Sequence, residues 1–402
     1  MQSDRYQWRC ILSTEQSEAS GRRTILVLGI LLIAANLRGP ITGIAPLLGM
    51  IQETTGIGTA QIGALTTLPL LAFAVMSPFA VLLARAWGIE RSLFAALLLI
   101  AAGVAVRSLG PVWCLFAGTT VIGVGVAIGN VLLPGLIKRD FPDRIGEMTS
   151  AYALTAGLAA AAASALAVPA AGGSSEGWPL ALAGFVVVPL AAAVVWLPQL
   201  RNHTAPSGAA TAASGQIWRS ALAWQVTFFV GLVSLVYYVV AAWLPAILVE
   251  SGYSEEAAGS LHGVSQAATA VSGLVFGPII GRMKDQRPAA VGVSALTALS
   301  LAGLWLVPQW ALVWTALFGF GMGSAFIFGL SFVSLRAPHA QQAAALSGMA
   351  QCVGYSLAAA GPPLAGLAHD YTGSWALPLG LCIAGALLMC LFGQLAGRAR
   401  HI

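Results

Sequence analysis

An all-α polytopic membrane protein, with twelve transmembrane helices in two pseudo-symmetric six-helix halves, is the fold this sequence predicts. Three observations carry the prediction. Of the 402 residues, 58% are hydrophobic and only 8% are charged, against about a quarter charged in a soluble chain. Apolar runs long enough to cross a bilayer recur along the whole length. The second half repeats landmarks of the first at a nearly constant spacing.

Taken in order, residues 1–23 lack the apolar core of a signal peptide and read as a polar tail. The N-terminal half, 24–198, holds spans near 24–50, 59–84, 92–108, 112–137, 147–171 and 178–198. Each is an apolar run closed by glycine, proline or charge. Residues 199–219 are rich in Ala, Ser, Gly and Thr, a linker composition. The C-terminal half, 220–396, holds spans near 220–248, 256–281, 289–307, 311–335, 343–367 and 375–396, and 397–402 form a short tail. The Ala-, Leu- and Ser-rich 289–307 run is the least distinct of the twelve.

Seventeen of the 19 Lys and Arg fall on one side of this arrangement: the two tails, the linker, and the loops after spans two, four, eight and ten. The opposite loops hold Arg107 with the acids Glu53, Glu176, Glu250, Glu255, Glu256 and Asp370. The positive-inside rule then makes both termini cytoplasmic and the chain a multi-pass inner-membrane protein. The net charge of +5 therefore reflects topology and not a nucleic-acid footprint.

The repeat pairs Pro46 with Pro245, Gly63 with Gly263, Pro78 with Pro278, Lys138 with Arg336 and Trp178 with Trp375. The run Gly123, Gly125, Ala127 pairs with Gly321, Gly323, Ala325. Six spans per half give both halves the same orientation, the parallel repeat of many transporters, with a site between the halves.

The chemistry of an enzyme is missing. There is no H-E-x-x-H, no Ser-x-x-Lys and no ATP-binding loop, and the glycines at 123, 125 and 129 lie inside a span rather than after a strand. The five cysteines show no C-x-x-C spacing, and four lie in apolar segments, as small buried thiols do. The expectation is no enzyme activity, no metal and no cofactor. All 14 Asp and Glu fall in the tail or loops, so no span offers an interior carboxylate. His262 is the one interior titrating group and reads as a residue near the outer interface, bonded to water. Arg107 reads as a topological anchor that snorkels outward.

Arg38 has no such escape. Arg23 and Glu53, the nearest charges, each lie fifteen residues away, over ~20 Å of helix in either direction. A central Arg costs ~2.5–3.5 kcal/mol on insertion scales. Either Arg38 braces carbonyls freed by Pro40, or it faces a cavity in which cargo is its partner. A planar guanidinium suits carboxylate, nitro or cyanate groups, and the second reading is preferred.

At this level the sequence resembles the major facilitator superfamily. Its loop signature, G-x-x-x-D-R-x-G-R-R, recurs in degenerate form. In "PFAVLLARAWGIER" (78–91) Gly88 and Arg91 match, but Val81 and Arg85 replace the Gly and Asp. In "PIIGRMKDQR" (278–287) Gly281, Asp285 and Arg287 match. These five are the candidate conformational gate. Asp285 is expected to cap the start of span five, near Met148–Ser150, when the cavity faces outward. Thr119 stands where proton-coupled drug antiporters carry an Arg in span four, which argues against that class. The segments "NLRGP", "LTTLPLLAFAVMSP", "ERSLFAALLLIAAG" and "GNVLLPGLIKRDFP" resemble the cyanate-permease and 2-nitroimidazole-transporter family, nearest its 2-nitroimidazole branch.

The resemblance implies a cavity between spans one, four, seven and ten, with parts of two, five, eight and eleven. Candidate substrate-binding residues at mid-depth are Arg38, Asn36, Asn130, Tyr152, Tyr237, Tyr238, Gln266, Gln351 and Tyr355. The repeat places Tyr237 or Tyr238 opposite Arg38. The expected function is secondary transport of a small polar solute, such as a nitroimidazole-like heterocycle, by alternating access. A cyanate-like anion carrier is the alternative, and a transporter-derived receptor is the alternative of another class. Expected partners are a small-molecule substrate, membrane lipid and a coupling ion, with no nucleic acid. The chain is expected to act as a monomer.

Overall fold

The computed structural model describes residues 23–172, 174–201, 217–280, 283, 285–337 and 340–398. Gly281, most of the linker and most of both tails lie outside the described residues. Among the described residues there is no strand. Eleven helical segments are long and apolar enough to cross a membrane. The twelfth, Ala340–Thr372, has the length, at 33 residues, but carries Gln342, Ser347, Gln351 and Ser356. It is the eleventh of the twelve expected spans, and its polarity follows from its position between the halves.

The expected spans are recovered, with three local differences. Span one (Arg23–Thr55) is not one helix: 23–42 is helical, a 3-10 turn at Ala45–Leu47 follows, and Leu48–Thr55 resumes. Pro40 and Pro46 lack the N–H groups that a continuous helix needs here. Span six is two helices, Trp178–Gly184 and Val187–Trp196. Span three (Ile89–Arg107) begins earlier than expected and draws Glu90 inside.

The remaining spans are two (Thr59–Trp87), four (Val112–Asp140), five (Ile145–Ala170), seven (Ala221–Glu250), eight (Glu255–Ile280), nine (Arg287–Leu306), ten (Ala311–Arg336) and twelve (Ala376–Ala396). Packing repeats between the halves: three on four matches nine on ten, two on four matches eight on ten, and three on six matches nine on twelve. Two further pairs join the halves, five on eight and two on eleven.

The glycines of the repeat explain these joints. A Cβ on Gly63 would lie 2.6 Å from Pro363 Cα, and one on Gly263 would lie 2.8 Å from the Ala161 carbonyl oxygen. Repeat-related glycines thus allow the same close approach of the two halves. In spans four and ten the contacts shift the pairing. Gly123 meets span two and Gly125 span three, whereas Gly321 meets span nine and Gly323 span eight. Gly125 is therefore the counterpart of Gly321, two residues off the register read from sequence.

The contacts across the halves lie toward the end bearing the acidic loops. Besides the glycine contacts, the Thr67 hydroxyl donates to the Ala359 carbonyl at 2.9 Å. Ser164 meets His262 across the five–eight joint. Phe73 and Tyr355, ring centroids 6.0 Å apart, pair across the two–eleven joint.

Two interior charges differ from expectation. Glu90 is 1% exposed and ion-pairs with Arg139 at 2.7 Å, tying span three to span four at the basic-loop end. A carboxylate is therefore buried after all, because span three extends past it. In the other half Arg336 does the related job, donating to the Ala396 and Gly397 carbonyls and to Gln286 Oε1. Arg107 does not snorkel. It is fully buried and its Nη1 donates to the Pro40 carbonyl at 2.7 Å. Cys114 and Cys382 are buried, but Cys352 is exposed and Cys390 half-buried.

Candidate functional site

Span one carries Arg38 one turn before its break. Pro40 cannot donate to the Asn36 carbonyl. Its own carbonyl is held from behind by Arg107. The guanidinium of Arg38 then points across the halves, with Cζ 5.6 Å from the centroid of the Tyr237 ring on span seven. This is cation–π distance. Arg38 is only partly buried. Among the described residues Arg38 forms no ion pair. Tyr237 and Arg38 sit 199 positions apart, within the repeat spacing.

Around this pair an aromatic wall continues. Tyr238 meets Tyr237 edge-on at 5.1 Å and lies 6.5 Å from Tyr355. Tyr152, Tyr237, Tyr238 and Tyr355 all lie within electrostatic reach of Arg38. Next to Tyr355 opens a cavity of about 290 Å³ lined by Phe73, Ala127, Asn130, Val131, Gln351 and Tyr355. That is near the lower bound for small-molecule sites. The lining is aromatic and amide, which suits a flat polar molecule. A second depression, lined by Ser251, Gly252, Tyr253, Pro308 and Gln309, lies at a loop and carries no charged group.

Of the nine residues expected at the site, Arg38, Asn130, Tyr152, Tyr237, Tyr238, Gln351 and Tyr355 retain exposed surface. Two do not. Asn36 is fully buried, donates Nδ2 to the Leu32 carbonyl at 2.8 Å, and leaves Oδ1 without a partner. Gln266 is 1% exposed and stands behind the wall, accepting a hydrogen bond from the Tyr237 hydroxyl at 2.8 Å. Its amide nitrogen meets His262 Nε2 at 3.1 Å, and His262 Nδ1 meets the Ser164 hydroxyl at 2.7 Å. His262 is thus fully buried between spans five and eight, not at an outer interface among waters. Depth along a helix is legible in sequence, but the face a residue presents is not. Phe73 and Ser164 give no signal within apolar spans, and His262 and Arg107, read at the outer interface from sequence, are turned inward by the packing.

At the basic-loop end, Gly88 joins spans two and three with φ 86°, a conformation open to glycine. Arg91 is exposed. Asp285 accepts from the backbone N–H of Arg287 at 3.0 Å and from its guanidinium at 2.8 Å. Those hydrogen bonds hold the Asp285 carboxyl below the usual carboxylate range. In this conformation Asp285 serves span nine and not span five.

Known proteins match this chain over most of its length. The family model "Major Facilitator Superfamily" matches residues 26–359. The 2-nitroimidazole transporter of Escherichia coli (strain K12) is 54% identical over 97% of this chain and 100% of its own length. The cyanate transport protein CynX of the same organism is 27% identical, over 91% of this chain and 96% of its own. A crystal structure of a bacterial homologue of the human lysosomal transporter Spinster, inward-facing and occupied, shares the fold. Its TM-score is 0.74 at 14% identity, covering 94% of this chain and 97% of that one. These relatives are transporters and not enzymes. By family model, full-length identity and fold, the chain belongs to the Major Facilitator Superfamily as a multi-pass membrane transporter of small molecules.

Proposed function

We propose that this transporter carries a small, flat, polar or anionic solute, with a nitroimidazole-like heterocycle as the leading cargo, across the inner membrane by alternating access. The observation that carries the reading is Arg38 set over Tyr237, with no ion-pair partner among the described residues, beside an aromatic-walled cavity. Arg38 would hold the nitro or anionic group at two points. Tyr237, Tyr238 and Tyr355 would stack on the ring. The full-length similarity to a 2-nitroimidazole transporter supports this. Cyanate is the second reading, supported by the uncompensated guanidinium. Cyanate is linear and too small to fill a cavity of about 290 Å³ walled by the Phe73 and Tyr355 rings, so the heterocycle is preferred. Full-length relatedness to transporters gives the receptor reading no support.

The basic loops and both termini would face the cytoplasm. The chain would work as a monomer in lipid. Gly88, Arg91, Gly281, Asp285 and Arg287 would form the conformational gate. The test is flux in proteoliposomes of the purified chain, with labelled 2-nitroimidazole and labelled cyanate. Saturable exchange of 2-nitroimidazole above protein-free liposomes is expected. Exchange of neither compound would overturn the reading.

A further inference from the structure

His262 is buried at the joint between spans five and eight, and both ring nitrogens are engaged. The hydrogen-bond roles along its chain run in one direction. The Tyr237 hydroxyl donates to Gln266 Oε1. The Gln266 amide is thereby turned so that Nε2 donates to His262 Nε2. His262 then carries its hydrogen on Nδ1 and donates to Ser164 Oγ, whose own hydroxyl donates to the Gly259 carbonyl at 3.1 Å. This assignment gives each of these contacts one donor and one acceptor and makes the imidazole neutral.

Two features make the group more than a satisfied core histidine. Ser164 and His262 belong to different halves, and their bond closes the joint that must part when access alternates. At its other end the chain reaches Tyr237, whose ring lies under Arg38. The surroundings bring no acid to His262. Span five offers Ser164, with Tyr152 three turns away, and span ten has no ionisable residue from Ala311 to Leu335. Span seven offers Tyr237 and Tyr238, the 3-10 turn Ala45–Leu47 is apolar, and Glu255 lies two turns off on span eight itself. Arg38, beyond Tyr237, is the charge to which the chain leads.

Building on the transport reading above, we propose that His262 is the proton-binding site that couples proton movement to solute transport, and that Gln266 and Tyr237 report its charge to the cargo site. The donor count gives the mechanism. When the joint opens, a proton from water binds Nε2, and both ring nitrogens become donors. Gln266 must then turn its oxygen to His262 and its amide hydrogens to Tyr237. The Tyr237 hydroxyl now accepts, and its own hydrogen, still bonded to oxygen, turns toward the cavity beside Arg38. One proton at His262 thus adds one donor and one positive charge to the anion side of the site. Proton and cargo bind cooperatively, each raising the other's affinity by the same factor. No covalent bond to cargo forms, and the same proton leaves from Nε2 on the other side.

The test uses the full chain in proteoliposomes with labelled 2-nitroimidazole and, in parallel, labelled cyanate. Exchange at equal pH needs no gradient and reports the transport reading alone. Accumulation driven by a pH gradient, with voltage clamped and protein-free liposomes subtracted, reports the coupling. One proton per cargo allows up to ~tenfold accumulation per pH unit. In His262→Gln, which keeps an amide able to donate and accept, accumulation is expected to vanish, and exchange is expected to lose its pH dependence while staying above protein-free liposomes. Undiminished accumulation in His262→Gln, or parent accumulation indifferent to the pH gradient, overturns the proposal. If neither probe exchanges in the parent, the transport reading itself falls. Where His262→Gln fails to fold by gel filtration, Ser164→Ala is read instead. It keeps the imidazole but removes the Nδ1 acceptor, so the pH midpoint of exchange is expected to move by about half a unit or more. An unmoved midpoint overturns the proposal.

Discussion

Replacing Arg38 by lysine separates a cargo contact from a helix brace. Lysine keeps a positive charge on a flexible stem but loses the planar fork. Two losses follow from the geometry. The guanidinium lies 5.6 Å from the Tyr237 centroid, and such a contact is worth ~0.5–2 kcal/mol according to its exposure. A second charged hydrogen bond to a nitro or anionic group is worth ~1.5–3 kcal/mol. With partial recovery by the ammonium, the net loss is about 2–3 kcal/mol, or roughly 30–150-fold in cargo affinity. The protein should fold normally, since among the described residues Arg38 forms no ion pair, so no structural carboxylate is orphaned. The assay compares Arg38→Lys with the parent, matched by gel filtration, for thermal shift with 2-nitroimidazole and for proteoliposome flux. A stable protein with both responses strongly reduced is expected. Flux within about threefold of the parent would show that the fork is not used, and the bracing role would replace the cargo role.

Arg107→Ala removes the donor that holds the Pro40 carbonyl and empties a buried site, so a loss of about 2–4 kcal/mol is expected. The check is a thermal melt in detergent, and an unchanged Tm would show that the Pro40 contact carries no stability. Asp285→Asn weakens the contact with Arg287 and the proposed latch on span five. Cysteine pairs across the basic-loop end should crosslink less often, and unchanged crosslinking sinks the latch. Because Arg287 holds the Asp285 carboxyl low, its contribution is present above the ordinary carboxylate range and is lost as pH falls through the lowered value. The crosslinking bias should fade in that acid window in the parent and be pH-independent in Asp285→Asn. A periplasm-active reporter should be silent when fused within 201–219 and active within 250–256, and the opposite pattern would reverse the orientation.

The sequence by itself determined the solvent, the helix count and the pairing of the halves. Charge this sparse leaves only lipid as surroundings, and the repeat spacing sets Tyr237 against Arg38 before any coordinates are known. Both are one-dimensional signals: hydropathy averaged along the chain, and distance counted in residues. Only the tertiary structure decided which face each polar residue presents. Asn36 and Gln266 have the same depth as Arg38 but turn away from the cavity. Arg107 looks like an anchor at a span's end, yet it turns inward to the Pro40 carbonyl, just before the helix of span one breaks after Thr42. Glu90 counts as a loop acid until span three lengthens past it to meet Arg139. His262 finds its partner, Ser164, 98 positions away on a helix of the other half. Such pairings follow from helix rotation and crossing, which depend on how every neighbouring face packs at once. No local run of residues encodes that.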